Sequence, residues 1–205
     1  MEALDEAIVR EYFETHGLLT RRMSKSREAG RKKGGNEIVL SLHNPTVEAN
    51  PTDLGFLLFS TDVARIRSAL VAVAGWGTPG FSTASLRSGR SLMKFLKGEV
   101  IRKLDDWLEV PSGSMEEGMG PFLRLVCLPG LPGTEKLRDQ VVELLKSAGV
   151  DGAFTTRAML EHLLRRADEN RDYTGSLPLQ FLRILKAYEV VKDPQMELFQ
   201  ETGPR

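Results

Sequence analysis

The feature that most constrains the fold is an unbroken apolar run at residues 69–76. It reads Ala-Leu-Val-Ala-Val-Ala-Gly-Trp and contains no charged side chain. A run of about four to eight apolar residues that ends near a glycine is typical of a strand buried on both faces, because helices need more residues and an amphipathic spacing. We therefore predict that residues 69–76 form a strand through the middle of the core.

Helical and extended patterns alternate along the rest of the chain. The alternating Ile38, Leu40 and Leu42 and the short segment at residues 17–23 predict a hairpin. Further strands are predicted at residues 122–128 and 153–156, and helices at residues 3–16, 61–67, 85–110, 134–148, 157–168 and 177–191. This order predicts an α/β fold, with a mixed central sheet flanked by helices.

Length, charge and cysteine content narrow the class of protein. A chain of 205 residues with 41% hydrophobic content suits one α/β domain, residues 1–192, followed by a C-terminal peptide tail, residues 193–205. Its 28 basic and 28 acidic residues cancel, so any attraction to nucleic acid must be local. The single cysteine, Cys127, suits a reducing compartment, and no signal peptide or membrane-spanning run is recognisable. We expect a cytoplasmic protein, or a nuclear one in a eukaryote.

Positive charge is dense in one place, residues 21–33, which we call the basic segment. Seven of its thirteen residues are cationic and Glu28 is its one acid; the cations are Arg21, Arg22, Lys25, Arg27, Arg31, Lys32 and Lys33. Such a cluster neutralises phosphates and releases their counterions, and nearby glycines let a hairpin connection adapt to a nucleic-acid backbone. The basic segment therefore predicts contact with DNA or RNA; the alternative is a solvated turn without a ligand.

The order of elements over residues 3–130 resembles the restriction-endonuclease-like superfamily, the PD-(D/E)xK nucleases. The resemblance implies a core made of a helix, an antiparallel pair or triplet of strands, a crossing helix and a further strand. In active members one strand supplies an Asp and the next an ExK signature. Two carboxylates hold a divalent metal beside the scissile phosphate, and the lysine polarises the attacking water.

Three positions decide whether this chain could perform that reaction. The stretch Glu37-Ile38-Val39-Leu40 resembles the first catalytic strand, with Val39 where the metal-binding Asp would fall. In the second strand Ala72 stands where the Glu would be, and Ala74 stands where the Lys would be. Neither valine nor alanine can bind metal or move a proton, so the resemblance implies a catalytically degenerate domain without a metal or cofactor.

An active nuclease would need carboxylates from elsewhere in the chain. A rearranged divalent-metal site is the enzymatic alternative, and its acids would be Glu37, Glu48, Asp53 and Asp62. Asp62 also has a purely structural explanation, because a carboxylate is favourable in the first turn of a helix. The histidines at positions 16, 43 and 162 show no ligand spacing, so the sequence predicts no zinc site.

A short peptide motif lies near the C-terminal end. The pentapeptide Gln195-Met196-Glu197-Leu198-Phe199 resembles the bacterial sliding-clamp-binding motif, Gln-Leu-x-Leu-Phe. The resemblance implies that Gln195 hydrogen-bonds in a small pocket of the clamp, while Leu198 and Phe199 fill an apolar groove and Met196 replaces the usual Leu. The alternative is that these apolar side chains pack on the chain's own domain, and clamp binding requires a bacterial source.

Three hypotheses follow for the function. The first is a non-catalytic, nuclease-like, DNA-associated accessory protein that binds nucleic acid through the basic segment and a sliding clamp through the C-terminal peptide. The second is an active metal-dependent DNA nuclease whose acids come from residues 37–62. The third is a protein interaction module that has no role with nucleic acid and uses its long helices to assemble with itself or a partner.

Overall fold

The computed structural model describes residues 2–23, 38–108 and 121–191. In these residues five strands form one sheet in the order β1-β2-β3-β4-β5. The strands are β1 (Leu19–Arg22), β2 (Ile38–His43), β3 (Ser68–Val73), β4 (Leu123–Leu128) and β5 (Gly152–Thr155). β2 is antiparallel to both β1 and β3, whereas β3, β4 and β5 run parallel to one another. The predicted hairpin is therefore confirmed, and the sheet is mixed.

Helices cover both faces of this sheet, so the predicted α/β class is confirmed. They are α1 (Glu2–Glu14), α2 (Ser60–Val63), α3 (Thr83–Arg87), α4 (Gly89–Phe95), α5 (Leu104–Trp107), α6 (Glu135–Ser147), α7 (Thr156–Arg166) and α8 (Leu177–Ala187). Side chains of α1, α7 and α8 form the core on one face, and those of α4, α5 and α6 form the core on the other. None of the helices in the described ranges is long and apolar enough to cross a membrane.

The apolar run at residues 69–76 forms the central strand, but the strand is shorter than predicted. Every residue of β3 is buried, and alternate side chains enter the two cores, as the period of two requires. β3 ends at Val73 because the chain then turns: the Thr78 N–H donates to the Gly75 carbonyl at 3.0 Å. Trp76 consequently lies outside the strand and is 37% exposed.

The single long helix predicted at residues 85–110 is wrong. Its apolar spacing is real, but the chain is divided into α3, α4, a π-helical turn (Leu96–Val100), a 3₁₀ turn (Ile101–Lys103) and α5. Ser88 adopts an extended conformation, and its hydroxyl accepts a hydrogen bond from the Ser91 N–H at 3.3 Å, which starts a new helix there. The π turn contains Gly98 and keeps Leu96 and Val100 buried.

Several predicted helix ends are confirmed by their local chemistry. Gly17 follows α1 with φ of 84°, and Gly149 follows α6 with φ of 71°, in the left-handed region that glycine adopts most readily. The Ser176 hydroxyl caps α8 by accepting a hydrogen bond from the Leu179 N–H at 3.3 Å. α1 and α8 both belong to the layer that packs over one face of the sheet.

Candidate nucleic-acid interface

Several connections leave the sheet on the side where β3, β4 and β5 have their carboxyl ends. We call this side the carboxyl edge. β1 ends there at Arg22 and β2 begins there, because Ile38 pairs with Val73 at the end of β3. The parallel strands β4 and β5 also end there, at Leu128 and Thr155. In open α/β sheets ligands bind outside the carboxyl ends of the strands, so this edge is the expected position of a ligand site.

The connection between β1 and β2 contains most of the basic segment, and both of its ends join the sheet at the carboxyl edge. Arg21 and Arg22 belong to β1, which is the outermost strand, and both side chains are exposed. The Arg22 guanidinium donates to the Glu6 carboxylate of α1 at 2.6 Å. The Met23 N–H then bonds to the Val39 carbonyl at 2.8 Å, which continues the ladder to the edge. The predicted contacts Lys25, Arg27, Arg31, Lys32 and Lys33 lie outside the described residues.

A buried carboxylate holds the loop that follows β3 at this edge. Asp5 of α1 is only 5% exposed, and its Oδ2 accepts a hydrogen bond from the Gly77 N–H at 2.7 Å. A Cβ added at Gly75 would lie 2.5 Å from the Asp5 carboxyl carbon, far inside contact distance. Glycine is therefore required at residue 75 for α1 and the loop to approach this closely.

The same loop presents an aromatic side chain at the carboxyl edge. The Trp76 ring packs edge-on against Phe81, with centroids 5.1 Å apart, and Phe81 in turn packs on Phe95. Trp76 keeps 37% of its surface exposed, whereas Trp107 is only 4% exposed in the core. An aromatic side chain supported from below and open on one side can stack with an unpaired base.

The three positions that the nuclease resemblance assigns to catalysis lie together in one layer of the core. Val39 pairs directly with Ala72 across β2 and β3, and Ala74 follows on the same face of the sheet. Their exposed fractions are 6%, 0% and 1%, and they belong to the apolar cluster that contains Phe95 and Leu96. These positions line a packed layer and not a cleft. Whether they are a lost active site stays a prediction.

The acids proposed for a rearranged metal site are engaged elsewhere or lie apart. Asp53 pairs with Arg65, and the Asp62 carboxylate accepts a hydrogen bond from the Phe59 N–H at 2.8 Å, which caps α2. Glu48 is an exposed loop residue, and Glu37 lies outside the described residues. In the described parts of the chain no group of three or more His, Cys, Asp or Glu side chains is placed to hold a metal ion.

Sequence reasoning missed a cluster of two histidines with a tyrosine and a serine, which we call the histidine cluster. His16 stacks on His162, with ring centroids 4.4 Å apart, and Tyr12 packs edge-on against both rings. Ser60 Oγ lies 3.2 Å from His162 Nδ1 and 3.4 Å from the Tyr12 hydroxyl. Residues 60 and 162 are 102 positions apart in the chain, so no spacing could have revealed the cluster.

The electrostatics of the histidine cluster keep its groups neutral at ordinary pH. Burial lowers the pKa of His162 to about 4, and the adjacent His16 and the arginines of α7 act in the same direction. Burial also lowers the pKa of His16 and raises the pKa of Tyr12 to about 12. His162 could act as a base toward Ser60, but its Nε2 is buried without a partner, so no acid orients it. The cluster is better explained as packing between α1 and α7.

A polar cavity of about 290 Å³ lies between α1, the end of α7 and the start of α8. Its walls carry both charges, including Glu14, Arg166 and Asp172. One wall is closed by the Ser176 hydroxyl, which donates to the Glu11 carboxylate at 2.6 Å. The cavity borders the C-terminal half of α1, whereas Asp5 is in the N-terminal half at the carboxyl edge, so the two features are separate.

The clamp-like peptide Gln195, Met196, Leu198 and Phe199 lies outside the described residues, which end at Val191. Its role therefore stays a prediction from the sequence.

Comparison with protein-family models, with curated proteins and with solved structures finds no match to this chain.

Proposed function

We propose that this chain is a non-catalytic, nuclease-like accessory protein that binds DNA at its carboxyl edge. The proposal rests mainly on three features that lie toward the carboxyl edge of the sheet. They are the points where the basic segment joins the sheet, the Trp76 loop, and the positions Val39, Ala72 and Ala74, where an active nuclease would have its catalytic side chains. The protein would act by holding DNA and recruiting a partner, without cleaving it.

The topology supports the nuclease-like part of the proposal. The superfamily resemblance implies a helix, an antiparallel pair or triplet of strands, a crossing helix and a further strand. Here α1 is followed by the antiparallel strands β1 to β3, the helical turns of residues 83–107 and the parallel strand β4. Val39, Ala72 and Ala74 share one face of the sheet, which is the arrangement that two metal-binding carboxylates and a catalytic lysine would need.

The side chains at those positions support the non-catalytic part. A nuclease needs oxygen ligands for a divalent ion, and valine and alanine offer none. Phosphate contact needs only cations, and the basic segment has a local excess of six positive charges, seven cations against Glu28, in a chain with net charge zero. Binding of this kind is driven by counterion release and weakens steeply as salt is added.

The DNA contact can be tested by fluorescence anisotropy of a labelled duplex over a salt series. We expect Arg21→Ser with Arg22→Ser to lower the affinity and to reduce the slope of log K against log salt by about two units, since each phosphate neutralised contributes about 0.9. Replacement of all seven cations should abolish binding. Lys136→Ser with Lys146→Ser, on the exposed side of α6, removes the same charge and is the matched control.

Two results would refute this part of the proposal. One is binding that is absent or insensitive to salt in the unaltered protein. The other is an equal loss in the matched α6 variant, because that would show a response to net charge and not to the basic segment. Cleavage of DNA with Mg²⁺ or Mn²⁺ that is abolished by Glu37→Ala or Asp53→Ala would establish the nuclease alternative instead.

The proposed partner of the C-terminal peptide is a bacterial sliding clamp. We expect full-length protein to be retained by immobilised clamp, and Leu198→Ala with Phe199→Ala to lose this retention because the groove contacts are removed. Glu197→Ala changes the variable position of the motif and should bind as well as the unaltered chain. Equal retention of both variants would remove the clamp from the proposal and leave the DNA contact untouched.

A further inference from the structure

Helix α8 is apolar on two opposite faces. Leu179 and Leu182 pack into the core of the domain, on the side where the Lys186 ammonium donates to the Ala167 carbonyl at 2.8 Å. The opposite side carries four exposed side chains, three from α8 and one from the residue that caps its C-terminal end. We call them the α8 stripe: Leu177, Phe181, Ile184 and Tyr188, exposed by 82%, 59%, 45% and 79%. At about 100° per residue the four fall within an arc of about 60°.

An apolar stripe of this kind differs from the scattered exposed apolar residues of an ordinary surface. Each side chain of this size presents roughly 150 to 250 Å² when free, so the stripe leaves roughly 500 Å² of largely apolar surface per chain. That area is about the size of the largest apolar patch of a typical monomer, and such a patch is often functional. The neighbouring Arg183 is turned to its own domain, where Nε donates to the Glu169 carbonyl at 2.9 Å.

We propose that the α8 stripe binds the same stripe of a second copy of this chain, as an antiparallel helix pair about a two-fold axis. The spacing of the stripe is four, three and four residues, which is that of a coiled-coil seam and is symmetric about its centre. An antiparallel copy therefore sets Leu177 opposite Tyr188 and Phe181 opposite Ile184. Every aromatic ring meets an aliphatic side chain, and no charge of the stripe is buried.

The area fixes the strength of this dimer. Pairing of two stripes would bury roughly 1,000 Å² in total, at the lower limit of specific interfaces, so we expect a micromolar dimer in reversible exchange with monomer. The competing occupant is the chain's own C-terminal tail, residues 193–205, which follows α8 by a few residues and carries Met196, Leu198 and Phe199. A tail that covered the stripe would leave the protein monomeric.

Sedimentation velocity of the full chain from about 1 to about 100 µM tests the proposal, because this range brackets the affinity expected of so small an interface. We expect a shift from monomer to dimer, and Phe181→Glu to weaken the dimer at least tenfold because it sets a carboxylate in the centre of the seam. Glutamate is a good helix former, so α8 should persist. Phe59→Glu is the matched control, since Phe59 is 62% exposed at the start of α2 and does not belong to the α8 stripe.

Disulfide trapping tests the antiparallel register. Cys127 is buried, so thiols introduced on α8 are the reactive ones. We expect a mixture of Phe181→Cys and Ile184→Cys chains to form more cross-linked dimer than either variant alone. Preferential cross-linking within each single variant would overturn the antiparallel arrangement.

Three outcomes would overturn the second copy as the occupant. The first is a monomer at every concentration, and the second is a dimer that survives Phe181→Glu. The third is a monomer that begins to associate when Met196, Leu198 and Phe199 are replaced by Ser, which would identify the tail as the cover. None of these measurements uses DNA, so their failure would leave the proposed DNA contact untested and intact.

Discussion

Substitution of Gly75 by alanine tests how α1 fixes the loop at the carboxyl edge. The new Cβ would lie 2.5 Å from the Asp5 carboxyl carbon and 2.6 and 2.7 Å from its oxygens, where carbon atoms normally approach to about 3.5 Å. The carboxyl group must therefore move by about 1 Å, and the hydrogen bond that it accepts from the Gly77 N–H is lost. Gly75 has an ordinary φ, so the effect is steric and not a matter of backbone strain.

The magnitude follows from two contributions. Overpacking of a filled site costs about 1–3 kcal/mol, and loss of a hydrogen bond to a charged group costs about 1.5–3 kcal/mol. Alanine also reduces the conformational freedom of the unfolded chain, which offsets about 0.5 kcal/mol of this cost. The net loss in the free energy of unfolding is about 3 kcal/mol. In a domain of this size that loss lowers the melting temperature by roughly 6–12 °C. Urea unfolding and calorimetry measure the two quantities.

A double-mutant cycle with Asp5→Ala separates the proposed contact from other causes. Asp5→Ala opens space beside residue 75, so Gly75→Ala should destabilise that background by less than about 1 kcal/mol, a coupling of about 2 kcal/mol. Gly55→Ala is the control, because the nearest atom to its added Cβ is an ordinary 3.7 Å away. A melting temperature for Gly75→Ala equal to that of the unaltered protein would refute the reasoning, as would additive effects in the cycle.

Three further predictions concern the core, the histidine cluster and the carboxyl edge. Ala72→Glu should destabilise the fold by about 4 kcal/mol or prevent folding, because it buries an unpaired charge in a packed layer, and near-normal urea unfolding would instead indicate an open cleft. The pKa of His162 is about 4 in the folded protein and near 6.5 in the unfolded chain, so the contribution of His162 to stability should be constant above pH 7 and fall as pH decreases from about 6.5 to 4. The full shift corresponds to about 3 kcal/mol, which partial solvent exposure reduces to about 1–2 kcal/mol, and unfolding of His162→Gln should lose this difference between pH 7 and 4. Trp76 fluorescence should be quenched when single-stranded DNA binds. Trp76→Phe should abolish the quenching, whereas Trp107→Phe should keep it. The reverse pattern would exclude Trp76 from the interface.

The parts of the fold that were predictable are those with a local signal. Residues 122–128 are a continuous apolar run and residues 134–148 have a helical spacing with Gly149 at the end, and both were assigned correctly as β4 and α6. The division of residues 85–110 was not predictable, because Leu96, Val100 and Leu104 stay buried at four-residue intervals through the π turn. The apolar spacing continues through these residues, although the backbone hydrogen bonding changes from the α-helical pattern to the π and 3₁₀ patterns.

The site depended on contacts that have no local signal. The Asp5 carboxylate and the Gly77 N–H are 72 residues apart in the chain, and neither residue is unusual in its own segment. The sequence located the basic segment, but it did not show that the segment's connection and the Trp76 loop leave the sheet on the same edge. That placement comes from strand order and direction, which are set by packing between distant segments.

The two proposed surfaces are built from different elements, and this separation makes their coupling a measurable quantity. The carboxyl edge is formed by strand ends and the loop that Asp5 holds, whereas the α8 stripe consists of exposed side chains on one helix. Phe181→Glu should therefore leave the affinity for a duplex of about one helical turn unchanged, since such a duplex has room for one edge. On a longer duplex two joined chains can bind together, and linkage of two weak sites raises the apparent affinity without any new contact. A loss of affinity in Phe181→Glu that is confined to the longer duplex would show that the dimer works through bivalency. An equal loss on both duplexes would show that α8 contacts DNA directly, contrary to the proposal that the interface lies at the carboxyl edge.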